Sequence, residues 1–316
     1  MKLKDYEILY DLPAGEYDAR TVEGIRTVTI RSGKALEVMC HPIVKRWPEA
    51  AKREAKRRKT GAAMEKINAR NLELSIMRLM EMNFTPRAMV FTGTYEYPRE
   101  DDIGMMNPGD LWEEWEKRRL PQSVEDVRRT ARNFLQRIRN RMEDKKALKW
   151  IMRIEEGAKE SALGLPPRYH VHMLIEAGGL TQDDISALWP FGFTRCDRFD
   201  MKHDGAARLA RYMTKNKRGG RWVSHSRNLK KPQARVSDRH ISRRRAVKVA
   251  EDIMGAGREI LEKLYPGYRL MEPPRVTFSD YMPGAYIYAR MRASDECRTE
   301  GGRSVGVAAR NPRLPL

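Results

Sequence analysis

The sequence predicts an α+β fold: a central antiparallel sheet of about five strands with helices packed on its back. Three observations carry that prediction. Four stretches, at 88–95, 148–155, 168–175 and 193–199, are rich in aromatic, β-branched and long apolar residues. An amphipathic helix lies between the first two. A further helix, at 205–216, follows the fourth. The fifth strand has no stretch of its own in the pattern.

Taken in order, residues 1–45 read as irregular or weakly β, with a short hairpin at Val28, Ile30 and the Arg31–Lys34 turn. Residues 49–59 are helix-prone and strongly basic. The helical pattern continues past Gly61, where Leu72, Ile76, Leu79 and Met80 make one apolar stripe. Pro86 ends it, and the 88–95 strand follows. Pro98 to Asp110 is a loop, and 111–120 holds Trp112 and Trp115 in one short helix. Ser123 with Asp126 marks a helix start, a hydroxyl cap followed by acids in the first turn. Val127, Ala131, Phe134, Leu135 and Ile138 then fall on one face, which should lie against a sheet. Thr181 and Asp184 start a short helix that Pro190 ends. Gly219-Gly220 stops the 205–216 helix, and a basic segment, 221–248, follows. The organisation expected is a basic, mostly helical region at 1–84, a central domain at 85–220 and a basic extension at 221–316.

The chain has 316 residues, enough for a substantial core, and a net charge of +19. An excess of positive charge this large favours a polyanionic partner, most simply nucleic acid. Cys40, Cys196 and Cys297 are few, odd in number and far apart. That pattern excludes a disulfide framework and fits a reducing cytoplasm. No secretory signal and no apolar run of membrane-spanning length is visible, so no membrane partner is expected.

The chemistry starts at Arg168-Tyr169-His170-Val171-His172-Met173-Leu174-Ile175. Alternate side chains of a strand share a face, so His170 and His172 point the same way and can hold one divalent metal. A third, hard ligand is at hand in Glu155 or Glu156, at the end of the neighbouring strand. Two imidazoles, one carboxylate and open positions suit Mg²⁺ or Mn²⁺, with zinc chemically possible. Such a centre polarises a phosphate. On the 205–216 helix Arg208, Tyr212 and Lys215 stack on one polar face. A phenol ionises near pH 10 and needs help to act as a nucleophile; Lys215 is the natural donor of positive charge. Phe91-Thr92-Gly93-Thr94-Tyr95 would be a strand beside the histidine strand, with its two threonines on one side.

These stretches together resemble the HUH endonucleases, the rolling-circle replication initiators of small plasmids and single-stranded DNA phages. Three motifs stand in the family's order: Phe91 to Tyr95, His170-Val171-His172, and Tyr212-Met213-Thr214-Lys215. Two flanks also look similar, Lys56 to Phe84 before the first motif and Ser226 to Pro232 after the third. Gly93 departs from the bulky residue usual in the first motif. A single tyrosine, Tyr212, stands where some relatives carry two.

The resemblance implies a palm-like sheet and a bacterial host cytoplasm as the place of action. It implies a metal held by His170, His172 and Glu155, with Glu156 in reserve, and a nucleophilic Tyr212 assisted by Lys215. The implied activity is metal-dependent nicking of single-stranded or origin DNA through a 5′-phosphotyrosine, followed by rejoining. Host polymerase would extend the free 3′-OH. No Walker A pattern is present, so unwinding would need a host helicase. A relaxase or transposase would share these residues, and a non-catalytic single-stranded nucleic-acid-binding protein or a zinc-site protein would share part of the pattern. The basic segments 51–59, 128–141 and 217–248 are expected on phosphates, and Trp112, Trp115 or Trp222 on unpaired bases.

Overall fold

The structure of the chain is a computed structural model that describes residues 22–44, 62–97, 107–118, 120–157, 168–201, 204–215, 223–279 and 282–294. The expected basic helix at 49–59, Cys297 and Trp222 lie outside them, as do the side chains of Trp112 and Trp115.

Two antiparallel sheets organise the described residues. The first contains β3 (Met89–Thr94), β4 (Lys149–Glu156), β5 (Tyr169–Glu176), β6 (Thr194–Arg198) and β7 (Val223–His225), in the order β6-β3-β5-β4-β7. This is the α+β sheet of five strands expected from the sequence. The fifth strand is β7, only three residues long, so it carries no pattern to read.

Alternation along β5 explains how this sheet packs. Tyr169, Val171, Met173 and Ile175 face one way into a core with Phe91, Met152 and Ile154. That face is covered by α3 (Val124–Arg141), through Val127, Ala131, Phe134, Leu135 and Ile138. Helix α3 starts where expected: Ser123 and Asp126 form a full capping box. His170, His172 and Leu174 face the other way.

Two helices cover part of that second face, a difference from the open face expected. Helix α1 (Ala62–Asn83) and helix α5 (Gly205–Thr214) pack Ile76, Met80, Ala206, Ala210 and Met213 against Ile151 and Leu174. The stripe on α1 has to be buried somewhere, and the lower half of this face is apolar. The upper half, from Thr92 to Glu155, is polar and stays uncovered.

Helix α3 therefore lies on the face opposite the histidines. This corrects the expectation that its arginines meet phosphates of the same DNA. Instead Arg129 pairs with Asp126, and Arg137 donates to the Leu188 carbonyl at 2.9 Å. Between the first-sheet strands stand two short helices, α2 (Pro108–Lys117) and α4 (Gln182–Ser186).

The second sheet has no counterpart in the sequence pattern. The expected short hairpin is two long strands, β1 (Val22–Ser32) and β2 (Ala35–Val44). Strand β2 pairs with β11 (Met282–Ala293), which also carries β9 (Tyr268–Leu270) and β10 (Arg275–Ser279); β8 (Ala234–Ser237) pairs with β1. Thus the described part of the 1–84 region is not mostly helical. It shares one sheet with strands of the 221–316 region. Helices α6 (Arg243–Glu251) and α7 (Ala256–Leu264) cover one face through Val249 and Leu261. Helix α1 lies on the other, where Arg78 meets Glu37.

His41, on β2, is buried opposite Arg26 of β1. Burial, then the Arg26 charge, pushes its pKa down to about 4, against the pull of Asp238. The folded value is below the unfolded one, so the unfolded chain binds more protons between them. Stability present above pH 6.5 should be lost as pH falls towards 4. The expected loss at pH 4.5 is about 2–3 kcal/mol. Urea midpoints at pH 7 and 4.5 should show it, and His41→Gln should remove this part of the acid sensitivity.

Cys40 and Cys196 are free thiols, and burial raises the pKa of each, Cys40 to about 12 and Cys196 to about 11. Among the described residues no helix is long and apolar enough to cross a membrane.

Candidate active site

Register builds the site. On β5 His172 stands opposite Thr92 of β3 and Arg153 of β4; His170 stands opposite Thr94 and Glu155. Opposed residues share a face, so six polar side chains occupy the upper half of one face. Glu156 pairs with Tyr169 and belongs to the opposite face. Glu155, not Glu156, therefore accompanies the histidines.

Helix α5 brings Tyr212 over this patch. The Tyr212 hydroxyl is 3.2 Å from His172 Nε2, and the two rings meet edge to face, with centroids 5.1 Å apart. The Glu155 Oε2 atom is 2.9 Å from the same nitrogen. On the other side of the ring, Thr92 Oγ1 lies 3.0 Å from Nδ1. One imidazole is thus held at both nitrogens. A carboxylate and a phenol converge on Nε2, which carries at most one proton. That corner is electron-rich and suits a cation.

The helix is fixed at both ends. Arg153, almost fully buried, donates from a terminal guanidinium nitrogen to the Tyr212 carbonyl at 2.5 Å. At the other end Asp204, in the left-handed region at φ 69°, forms a two-point ion pair with Arg290 of β11, at 2.6 and 3.0 Å. The chain turns so closely there that a Cβ at Gly205 would collide with the Asp200 carbonyl oxygen. Any side chain at 205 would move α5 and, with it, Tyr212.

Charges around the site act in a consistent sense. Burial lowers the pKa of His170 and His172, and the Glu155 carboxylate opposes that shift in both. Both rings are therefore neutral at pH 7, the form that ligates a metal. Burial, then Glu155, raises the Tyr212 phenol, while Arg153 pulls it down. Neutralising Glu155 with a cation would ease ionisation of the phenol.

The expected metal donors fit this geometry in part. The 2.9 Å between Glu155 Oε2 and His172 Nε2 matches neighbouring ligands of an octahedral cation with bonds of about 2.0–2.1 Å. His170 shares the face but is engaged by a hydrogen bond to the Arg168 backbone. Among the described residues no three His, Cys, Asp or Glu side chains form a ready metal cluster. Two donors are in place, and the third stands two residues along the same strand.

Lys215 is not gathered in. It caps the end of α5 through its backbone N–H, its side chain is exposed, and it makes no ion pair among the described residues. Arg208 is exposed and pairs with Asp200. Two residues that sequence reasoning passes over, Arg153 and Asp204, do touch this helix. A buried arginine inside an apolar strand is the available signal for the first.

Gly93 now has a reason. A Cβ there would lie 2.8 Å from the Trp189 ring, which packs on Phe91. Trp189 fills the space that a bulky residue at 93 would need.

A family model described as replication-associated protein ORF2 matches residues 114–217. The match supports a replication initiator. It covers about a third of the chain and includes Glu155, His170, His172, Tyr212 and Lys215, while Phe91 to Tyr95 lies outside it. No curated protein and no solved structure matches the chain.

Proposed function

We propose that this replication-associated protein is a single-tyrosine HUH endonuclease that starts rolling-circle replication by nicking DNA. One observation carries the reading above the others: the Tyr212 hydroxyl lies 3.2 Å from His172 Nε2, on the face that also bears His170 and Glu155. A binding module has no need of a half-exposed phenol held over a histidine–carboxylate pair.

The reaction is a transesterification. The Tyr212 oxygen forms a bond to phosphorus as the bond to the 3′ oxygen breaks; the phenol loses a proton and the leaving oxygen gains one. One phosphodiester replaces another, so the strand can later be rejoined. Arg153 fixes the end of α5 and lowers the cost of the phenolate. His170, His172 and Glu155 would hold Mg²⁺ or Mn²⁺, which when bound supplies positive charge to the scissile phosphate. Lys215, exposed one turn beyond Tyr212, is left to meet the phosphate when DNA arrives. The free 3′-OH would pass to a host polymerase, with a host helicase opening the duplex.

Incubation with circular single-stranded DNA and Mn²⁺ tests the proposal. Linear product that disappears with a chelator is expected. DNA binding without cleavage under these conditions would instead favour the non-catalytic reading.

Thr92 contributes by orienting His172. Thr92→Val removes the partner of Nδ1 without changing size much, and should lower nicking about 10- to 100-fold, the usual cost of losing such a contact. The loss should appear in kcat and in the metal concentration needed, not in DNA affinity.

A further inference from the structure

Phe193 is 73 % exposed, the most exposed large apolar side chain among the described residues. Its backbone is held firmly: the Phe193 carbonyl accepts from Thr94 N–H at 2.9 Å and from Thr94 Oγ1 at 3.0 Å. The preceding Gly192 has φ 155°, and a Cβ there would lie 2.6 Å from the Glu96 nitrogen. Two residues before Phe193, Phe191 packs on Tyr95 and Trp189. The segment thus tucks one phenylalanine into the core and leaves the other out on a fixed support.

The register says where that ring stands. Gly93 opposes Thr194, and Thr92 opposes Arg195, so the ladder continues to Thr94 beside Phe193. Phe193 and Arg195 are two apart and belong to the face of Thr92, Thr94 and His170. His170 is two strand spacings from Phe193, about 10 Å. Helix α5 approaches the site from the β4 side, so Phe193 and Arg195 flank it on the uncovered β6 side. Arg195 pairs with Asp197, and both side chains are largely exposed, a pairing that a phosphate can displace.

Resting on the cleavage reading above, we propose that Phe193 is a stacking platform for an unpaired base of the DNA strand next to the scissile phosphate, with Arg195 on the adjoining backbone. A rigid, exposed aromatic face accepts any base, because every base has a π face. The chain's charge of +19 and the polar row between Phe193 and Glu155 fit a strand running from β6 across β3 to Tyr212.

The test uses the full chain and a single-stranded oligonucleotide of about 20 nucleotides carrying 2-aminopurine at successive positions around the mapped nick. Quenching at one flanking position is expected with the wild-type protein. Phe193→Ala should abolish that quenching and weaken binding about 5- to 150-fold. Phe193→Trp should restore both, Phe193→Leu should not, and an oligonucleotide duplex should bind all four equally. Since Phe193 is exposed, the variants should melt with the wild type. Nicking and affinity both unchanged in Phe193→Ala would overturn the platform while leaving the cleavage reading intact. Phe193-dependent quenching by a protein that never nicks would do the reverse.

Discussion

Tyr212→Phe should abolish strand cleavage, with a loss on the order of 10³-fold or more, as expected for removal of a catalytic nucleophile. The substitution deletes one oxygen. Its ring packs edge to face with His172, and that contact survives. The residue is 45 % exposed, so no buried polar group loses its only partner. Thermal stability and affinity for single-stranded DNA should therefore stay close to wild type. Both can be measured on the same preparation as cleavage, by melting and by fluorescence anisotropy. Cleavage at a normal rate would remove Tyr212 from the mechanism.

Arg78→Met should cause the largest loss of stability. Arg78 of α1 and Glu37 of β2 are both nearly fully buried, and meet at 2.6 and 3.2 Å. The Tyr288 hydroxyl donates to the same carboxylate at 2.7 Å. Without the guanidinium, Glu37 would remain charged in an apolar setting or take up a proton. Breaking one side of a buried pair costs about 3–5 kcal/mol. For described folds of this size that lowers the melting temperature by about 10 °C. The pair itself need not be worth that much. Replacing it whole, as Glu37→Leu, Arg78→Met and Tyr288→Phe together, should recover most of the loss, because no charge is then left alone. Melting curves of the single and triple variants separate the two cases. This joint matters for function, since α1 also packs on α5 through Ile76, Met80 and Ala210.

Much of the first sheet is readable locally. The alternation Tyr169-His170-Val171-His172 states which residues go to the core and which to the site, and the structure follows it. The cap at Ser123 and the stripe to Ile138 make α3 equally plain. The choice between Glu155 and Glu156 stays open in the sequence, because it depends on how β4 is paired with β5, and adjacent residues of a strand lie on opposite faces. The position of the α3 arginines is hidden for a related reason: a basic helix surface does not say which side of the sheet it covers.

The second sheet is hidden because its partners are far apart in the chain. Strand β2 is buried on both faces and pairs with β11 some 250 residues later, so no local alternation marks it. The two charges on β11 that look like part of a basic tail, Arg290 and Arg292, are ion-paired with Asp204 and Glu81. Lys215 shows the limit in the other direction. Its spacing from Tyr212 is legible, yet its side chain is exposed and makes no ion pair among the described residues.

Peptide mapping of the covalent product tests the central claim most directly. The protein should be allowed to cut single-stranded DNA, then digested with nuclease and protease and read by mass spectrometry. A nucleotide linked through its 5′ phosphate to the Tyr212 hydroxyl, and absent from Tyr212→Phe, is the predicted result. Cut DNA with no protein adduct, or an adduct on any other residue, would contradict it.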